Sequence, residues 1–269
     1  MWASVPISDL IRGLAVAVAA TLPAFAEPPG RVVSMNLCTD QIAMLLAAPG
    51  QLISVSDLAA DPRMSPMADQ AADYALNYGR AEEIYLMRPD LVIAGQFTSG
   101  PTVAMLRRLG IRVEVLPPAD DFQAIRDEIT RVGDWLGRAP QAADLIARFD
   151  QGLAALAAEV PRGRAALYYA NGFTSGPDTL AGAIVEAAGY DNIAEDYGIA
   201  NTTALPMELL VMAGPDRLIT GAKWPGQSRS EAILDHPALA RTAPGTAQVT
   251  DRDWVCGTPF VLNAIEALQ

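Results

Sequence analysis

One block of sequence occurs twice, once in each half of the chain, and this repeat limits the fold more than any other feature. Residues 82–95 read EEIYLMRPDLVIAG, and residues 208–221 read ELLVMAGPDRLITG. In each copy a Glu begins a short amphipathic helix, Pro-Asp follows, and an apolar β run ends in Gly. Strand patterns precede both copies, at 31–36 and 164–170. A repeated unit of this kind predicts two similar α/β lobes.

Short apolar strands alternate with helical patterns in both halves, which is typical of parallel sheets built from βαβ units. The predicted strands are 31–36, 52–56, 91–95 and 112–116 in the first lobe, and 164–170, 217–221 and 247–250 in the second. Asp40 and Asp178 are predicted to cap the helix that follows the first strand of each lobe.

Between the two halves, apolar residues recur at helical spacing from 121 to 160, with one break at Gly137 and Pro140. We expect two helices, the second of which crosses between the lobes over about 140–160. The alternative places this helix within one lobe and differs mainly in the stiffness of the connection. The predicted organisation is an N-terminal lobe at 27–138, a connecting helix at 139–162 and a C-terminal lobe at 163–269.

The charge and the scarcity of histidine exclude several classes of protein. The chain has 31 acidic and 19 basic residues, for a net charge of −12, and Lys223 is its one lysine. Such a surface repels phosphate groups, so nucleic acid is excluded as a partner. The single histidine, His236, cannot supply a His-rich zinc or manganese site, and no metal ligands are predicted.

The first 26 residues resemble a signal peptide. Arg12 precedes an apolar stretch, and Ala-Phe-Ala at 24–26 provides the small-x-small cleavage pattern. We therefore expect a periplasmic protein. In that compartment Cys38 and Cys256 can oxidise to a disulfide, with two free buried thiols as the alternative.

Ligands of open parallel sheets bind beyond the carboxyl ends of the strands. The residues that follow the predicted strands are mostly aromatic, hydroxyl-bearing or amide-bearing, which suits a bulky and largely uncharged ligand. Core packing is the alternative for any single aromatic residue. Since strand neighbours alternate between faces, only one of Tyr168 and Tyr169 can face the cleft. The candidate ligand-binding residues are Asn36, Thr39, Phe97, Thr98, Tyr169, Asn171, Phe173, Lys223, Trp224 and Trp254.

The two repeated blocks, together with RVVSMNLCTDQ at 31–41 and ILDHPAL at 233–239, resemble the substrate-binding proteins of ABC importers for iron siderophores, haem and cobalamin. The resemblance covers nearly all of the chain after residue 26. It implies an α/β fold of the class III periplasmic-binding-protein type, in which two Rossmann-like lobes with parallel sheets are joined by one long rigid helix. It also implies ligand binding in the cleft without catalysis, and we expect a monomer.

The resemblance further implies a membrane partner, an ABC permease dimer in the inner membrane. One exposed Glu on each lobe would meet arginines of that partner. The matching positions are Glu82 and Glu208, with Glu83 as the competitor in the first lobe. Equivalent carboxylates on two similar lobes suit a two-subunit partner. The alternative is that both residues only stabilise a helix N-terminus through the helix dipole.

Differences between this sequence and individual branches of the family reduce the number of candidate ligands. The ligand would be transported as cargo and would not be a cofactor. Substrate-binding proteins for catecholate or citrate siderophores carry arginines in the cleft. None of the candidate ligand-binding residues of this chain is an arginine. The expected small-molecule metal complex is therefore a hydroxamate-type ferric siderophore or a corrinoid. Haem is the alternative, with Tyr168 or Tyr169 as an axial ligand.

Two other classes of protein stay open. A periplasmic enzyme on the same scaffold would use Asp40, Cys256 or His236 as catalytic groups, and a Cys–His pair would need a free thiol. A sensor that presents its ligand to a signalling partner would share the same cleft.

Overall fold

The computed structural model describes residues 27–158, 160–226 and 228–269. The predicted signal peptide, residues 1–26, lies outside these described residues. Within the described ranges, every helix is too short or too polar to cross a membrane.

The first lobe is built on a five-stranded parallel sheet. Its strands are β1 (Val32–Ser34), β2 (Leu52–Ser56), β3 (Ala75–Asn77), β4 (Leu91–Gly95) and β5 (Val113–Leu116). They lie in the order β3-β2-β1-β4-β5, so the first strand is central. All four strands predicted for this lobe are present. Strand β3 was missed because its sequence, Ala-Leu-Asn, is short and has no β-branched residue.

The second lobe contains a four-stranded parallel sheet and a small antiparallel pair. Its strands are β6 (Arg164–Tyr168), β7 (Phe173–Ser175), β8 (Asp191–Asn192), β9 (Thr202–Ala204), β10 (Arg217–Gly221) and β11 (Gly245–Val249). The parallel sheet has the order β11-β10-β6-β8, and β7 pairs with β9 outside it. The three predicted strands correspond to β6, β10 and β11, so the predicted architecture of two α/β lobes with parallel sheets is confirmed.

Helices occupy most of the connections between strands. They are α1 (Leu37–Leu46), α2 (Ala68–Ala71), α3 (Ala81–Leu86), α4 (Gly100–Arg108), α5 (Phe122–Leu136), α6 (Ala139–Ala155), α7 (Leu180–Ala187), α8 (Met207–Ala213), α9 (Asp251–Trp254) and α10 (Val261–Leu268). Helices α5 and α6 are the two helices predicted between the lobes, and they separate at Gly137. Helix α6 ends at Ala155 rather than near residue 160.

The two lobes share one continuous apolar core. It contains Val32 of β1, Leu167 of β6, Phe149 of α6 and Ile265 of α10, all essentially inaccessible to solvent. The rings of Phe122 and Phe149 meet edge to face where α5 packs on α6, with 6.1 Å between their centroids. Because the core continues from one lobe to the other, the junction is packed and is not a flexible linker.

Two matching sets of hydrogen bonds explain the repeated Pro-Asp. Asp90 Oδ2 accepts from the backbone N–H of Arg31 at 2.9 Å, and Asp216 Oδ2 accepts from that of Arg164 at 2.8 Å. The guanidinium groups of the same two arginines donate to carbonyls at the C-terminal ends of α3 and α8, at 2.6 and 2.8 Å. Each Asp therefore fixes the start of its lobe's first strand, and each Arg satisfies a helix terminus.

Both predicted N-caps are wrong by position. Asn36 caps α1 and Thr179 caps α7, each through a side-chain oxygen that accepts a backbone N–H in the first turn. Asp178 is the residue before the cap. Asp40 lies one turn inside α1, fully buried, where it accepts hydrogen bonds from the backbone and the hydroxyl of Ser56. A short polar residue was correctly expected at each helix start, but neighbouring Asn and Thr residues could serve equally well.

Candidate functional site

In each sheet the strand order reverses beside the lobe's first strand. Strand β1 lies between β2 and β4, and β6 lies between β8 and β10. Loops that leave neighbouring strands at such a point diverge and open a crevice. The loops after β1 and β4 carry Asn36 and Phe97, and the loops after β6 and β10 carry Asn171 and Trp224.

The carboxyl ends of the two sheets face each other, as direct contacts between their loops demonstrate. Cys38, after β1, forms a disulfide with Cys256, after β11, and their Cα atoms are 5.1 Å apart. Two residues farther along, the Thr258 hydroxyl donates a buried hydrogen bond to Gln41 Oε1 at 3.0 Å. The crevice between the lobes is therefore bounded by covalently joined walls.

A cavity of about 280 Å³ lies between these loops. Its walls come from the ends of β1, β4 and β5, from α5, and from the segment that follows α9. Three of the predicted ligand-binding residues line it, namely Asn36, Thr39 and Phe97. Most of the remaining lining is apolar, including Leu116, Pro117, Pro118 and Val255. An apolar cavity with a few polar groups is typical of a small-molecule site.

Asn36 and Thr39 shape the first wall of this cavity. Asn36 Oδ1 accepts from the backbone N–H of Cys38 at 3.1 Å. The buried Thr39 hydroxyl donates to the Asn36 carbonyl at 2.9 Å and bonds with the Ser34 hydroxyl at 2.7 Å. A Cβ on Gly95 would come within 2.7 Å of Asn36 Cγ, so a glycine is required there. Thr39 thus holds the loop in place, while the half-buried Asn36 amide faces the cavity.

Phe97 forms an exposed rim. Its side chain is 82% exposed, although it follows a fully buried strand and lines the cavity. An aromatic ring this exposed offers apolar surface to a ligand. The neighbouring Thr98 has a different role, because its hydroxyl accepts from the backbone N–H of Gly95 at 3.1 Å and fixes the turn.

Trp224 is held by groups from both lobes. The guanidinium carbon of Arg63 lies 4.4 Å from the centroid of the Trp224 ring. The backbone N–H of Trp224 donates to Glu231 Oε1 at 3.2 Å. Arg63 in turn pairs with Asp61 at 2.5 Å. Sequence analysis missed Arg63 because it lies between β2 and α2, away from the strand-end loops that were considered.

Lys223 and Arg63, two cations at this end of the cleft, are paired within the chain. The Lys223 ammonium pairs with the carboxylate of Asp235, and Arg63 pairs with Asp61. Hydrogen bonds from Arg63 lower the pKa of Asp61 to about 2, so the Asp61 carboxylate stays ionised near neutral pH. These two pairs neutralise Lys223 and Arg63, whereas Arg229, which lines a pocket beside Lys223, forms no ion pair among the described residues.

Asn171 and Phe173 form a separate part of the second-lobe rim. Asn171 is exposed in the left-handed conformation, with φ 57, and its backbone N–H donates to the Ser230 carbonyl at 2.6 Å. Phe173 follows on β7 and is 40% exposed. Both residues lie beyond the end of β6, as predicted from the strand pattern, but outside the lining of the 280 Å³ cavity.

Tyr169 and Trp254 are partly buried and pack against the shared core, outside the lining of the 280 Å³ cavity. Their role in ligand binding stays a prediction. The Tyr169 hydroxyl is buried beside Trp254 and Ser175, and burial raises its pKa to about 12. Tyr168 is also fully buried, in the core of the second lobe. Both faces of a parallel sheet are covered, so Tyr168 at the end of β6 lies in one packed layer and Tyr169, directly after β6, packs against the other.

Glu128 is a cavity-lining residue that sequence analysis missed. It lies on α5 and is only 4% exposed. Burial raises the pKa of its carboxyl group to about 8, with the charge of Arg131 opposing the shift and that of Asp120 adding to it. The helical spacing could have indicated that Glu128 is buried. It lies three residues after Ile125 and four before Val132, on the apolar face of α5.

Glu82 and Glu208 lie in matching places, in the first turn of α3 and of α8, and both are exposed. Glu83 differs, because its Oε2 accepts a backbone N–H from the preceding turn at 2.9 Å. Four residues after each exposed Glu, Leu86 and Met212 are 78% and 79% exposed. Each lobe therefore presents one free carboxylate and one apolar side chain on the same helix face.

A family model described as "Periplasmic binding protein" matches residues 32–248 of the chain. The chain belongs to this family. A relative named "Cobalamin-binding protein", from Halobacterium salinarum, is 29% identical over 244 residues. The alignment covers 87% of the present periplasmic binding protein but 63% of the relative, so the chain spans less than two thirds of that relative's length.

Two solved structures share the fold of this periplasmic binding protein. A periplasmic haem-binding protein from Roseiflexus sp. RS-1 is 22% identical with a TM-score of 0.71, covering 89% of this chain and 99% of the other. An Fe³⁺-hydroxamate transport system protein from Saccharomonospora viridis is 21% identical with a TM-score of 0.65, covering 91% and 93%. The two-lobed architecture is therefore that of the class III periplasmic binding proteins.

Proposed function

We propose that this periplasmic binding protein captures a corrinoid in the cleft between its lobes and delivers it to an ABC importer. The observation that carries the proposal is the chemistry of the cleft, where aromatic and apolar side chains dominate and Lys223 and Arg63 are paired internally. A largely uncharged, bulky metal complex suits this surface. The named cobalamin-binding relative supports the same ligand class.

A ferric hydroxamate siderophore is the second candidate. Its iron is already coordinated by the siderophore, so the protein needs to offer shape and apolar surface and no metal ligands of its own. Among the described residues there is no cluster of three or more His, Cys, Asp or Glu side chains placed to hold a metal ion. The likeness to a hydroxamate transport protein gives this candidate further support.

Haem is the alternative ligand, and the geometry favours it less. Haem-binding members of this family were expected to offer an axial Tyr or His. The hydroxyl groups of Tyr168 and Tyr169 are both buried, and Nδ1 of His236 accepts a backbone N–H within its own turn at 3.2 Å. Lys223 is paired with Asp235, which makes it less available to a haem carboxylate.

Delivery would use the two matching helices α3 and α8. We propose that Glu82 and Glu208 contact arginines of a permease dimer in the inner membrane, one on each subunit. Their exposure and equivalent positions support this role, and the hydrogen bond to Glu83 removes the competitor. Export by a signal peptide at residues 1–26, a periplasmic location and a monomeric state belong to the same proposal.

A catalytic role fits the site poorly. The thiol that a Cys–His pair requires is consumed in the disulfide of Cys256 with Cys38. Asp40 is fully buried. A sensor would share the cleft but would not need equivalent carboxylates on both lobes, so an importer component is the better interpretation.

Titration of the purified mature protein tests this function. Binding of cyanocobalamin, a ferric hydroxamate complex and haemin is followed in turn by absorption and calorimetry. The spectrum of the ligand-free protein serves as the reference. We expect one equivalent of cyanocobalamin to bind with micromolar or tighter affinity. Binding of the hydroxamate or haemin alone would replace the corrinoid assignment, and binding of none would contradict the proposed function.

A further inference from the structure

Glu128 is a buried polar residue of the cleft cavity, and one of its carboxyl oxygens is unpaired among the described residues. Its side chain is 96% buried, since only 4% is exposed, and it lines the 280 Å³ cavity. Within the described residues, its Oε1 atom has no hydrogen-bond partner. A buried carboxyl oxygen without a partner is costly, so such groups usually have a further role.

Two other polar residues of the cavity wall use oxygen atoms in internal hydrogen bonds, while the amide N–H groups of Asn36 and the exposed Gln96 side chain are open to a ligand. Thr39 uses its hydroxyl in two internal hydrogen bonds, and Asn36 Oδ1 accepts from the backbone of Cys38. The surroundings are otherwise apolar, with Leu116, Pro117 and Pro118 among the lining residues. A ligand that enters this cavity therefore meets a deeply buried carboxyl group with an uncommitted oxygen.

The ionisation state of Glu128 determines what that group can bind. Burial raises the pKa of its carboxyl to about 8, the guanidinium of Arg131 opposes the shift, and the carboxylate of Asp120 adds to it. At pH 7 the group is mostly protonated, so one oxygen donates a hydrogen bond while the other accepts.

A primary carboxamide has the complementary pair of groups, a carbonyl oxygen that accepts and an N–H that donates. A neutral carboxyl and a primary amide can therefore form two parallel hydrogen bonds in one plane. Both groups are uncharged, so the pair can be buried in an apolar cavity without a counter-ion.

We propose that Glu128 recognises a primary carboxamide at the periphery of the ligand, and that this contact orients the ligand in the cleft. The inference rests on the proposed function, because corrinoids carry several such amides around the ring. It adds a recognition residue and a ligand functional group that neither the fold nor the family match specifies.

The decisive experiment compares Glu128→Gln and Glu128→Leu with the wild type. Gln keeps one donor and one acceptor, so its affinity for cyanocobalamin should stay within about threefold of the wild-type value. The Leu side chain keeps the volume but removes the donor and the acceptor. The affinity of Glu128→Leu for cyanocobalamin should therefore fall about tenfold or more. Thermal unfolding of both variants, measured without ligand, establishes that each is folded.

A second set of probes separates recognition from a structural effect. The monocarboxylic acids of cyanocobalamin replace one peripheral amide by a carboxylate and leave the ring unchanged. For the wild type, at least one of these acids should bind about tenfold more weakly than cyanocobalamin, and Glu128→Leu should lose that discrimination.

These experiments distinguish failure of the carboxamide contact from failure of the corrinoid assignment. Folded Glu128→Leu that binds cyanocobalamin as tightly as the wild type overturns the role of Glu128 and leaves the corrinoid assignment intact. A wild-type protein that binds no cyanocobalamin overturns the corrinoid assignment and the carboxamide contact together.

Discussion

The guanidinium group of Arg63 lies over the indole ring of Trp224, 4.4 Å from its centroid, and the two residues belong to different lobes. Asp61 holds the cation, and Glu231 Oε1 accepts from the backbone N–H of Trp224 at 3.2 Å. A cation over an aromatic face contributes about 0.5–1 kcal/mol at an exposed site. This contact therefore orients the ring at the mouth of the cleft without locking the lobes together.

Replacing Trp224 should weaken ligand binding. Trp224→Ala removes a half-exposed aromatic surface, and we expect its affinity for cyanocobalamin to fall about tenfold or more. Calorimetric titration gives the measurement. Trp224→Phe is the matched control, since it keeps an aromatic face and should lose much less. Unchanged affinity in Trp224→Ala would remove this ring from the ligand site.

Replacing both exposed glutamates should separate delivery from capture. In Glu82→Ala/Glu208→Ala, ligand affinity should equal that of the wild type because both residues are exposed and neither lines the cavity. Uptake of labelled ligand by cells that carry only this variant should be abolished. Glu83→Ala is the control and should transport normally. Normal uptake by the double variant would disprove the docking surface.

The disulfide should supply a large part of the stability. It joins residues separated by 218 positions, and cross-links of this kind typically stabilise a fold by about 2–5 kcal/mol. We expect Cys38→Ser/Cys256→Ser to lower the free energy of unfolding by that amount in urea titrations. Reduced wild-type protein should match the variant. Equal stability of the oxidised and reduced forms would contradict this prediction.

Asp40 should make the protein less stable as the pH rises through the mildly acidic range. Burial raises its pKa from 3.8 to about 6, although hydrogen bonds from Ser34 and Ser56 oppose the shift and the charge of Asp57 adds to it. Between these values the folded state retains a proton that the unfolded state has lost. Stability therefore falls as pH rises from about 4 to 6, by about 3 kcal/mol in total, and stays reduced above that range.

Asp40→Asn is the test of this pH dependence. The free energy of unfolding of the wild type, minus that of Asp40→Asn, should decline between pH 4 and pH 7. Subtraction cancels the contributions of the other carboxylates, which are common to both proteins. A difference that does not change with pH would show that Asp40 ionises alike in the folded and unfolded chains.

The sequence predicted the large features of the fold because they depend on residue pattern. Apolar runs marked the central strands, helical spacing marked α5 and α6, and the repeated Pro-Asp marked the two lobes. The short strands β3 and β8 could not be predicted, since they consist of two or three residues that pair only in the folded sheet. Their pairing is a tertiary property.

The candidate site was predicted less completely. Asn36, Phe97 and Trp224 follow from the rule that ligands bind at strand ends. Tyr169 directly follows β6, and Trp254 is the last residue of α9. Both side chains pack against the core, and this placement depends on packing between distant segments. Arg63 lies outside the strand-end loops, and its position over Trp224 joins residues that are far apart in sequence.

The connecting helix α6 and the disulfide between Cys38 and Cys256 attach the second lobe to the first at two places. A rigid body held at two points keeps one rotational degree of freedom, about the line that passes through both. Opening the cleft is then a single-axis motion that needs no bending of either sheet. If the lobes separate about this line, the mouth of the cleft widens most at the residues farthest from it.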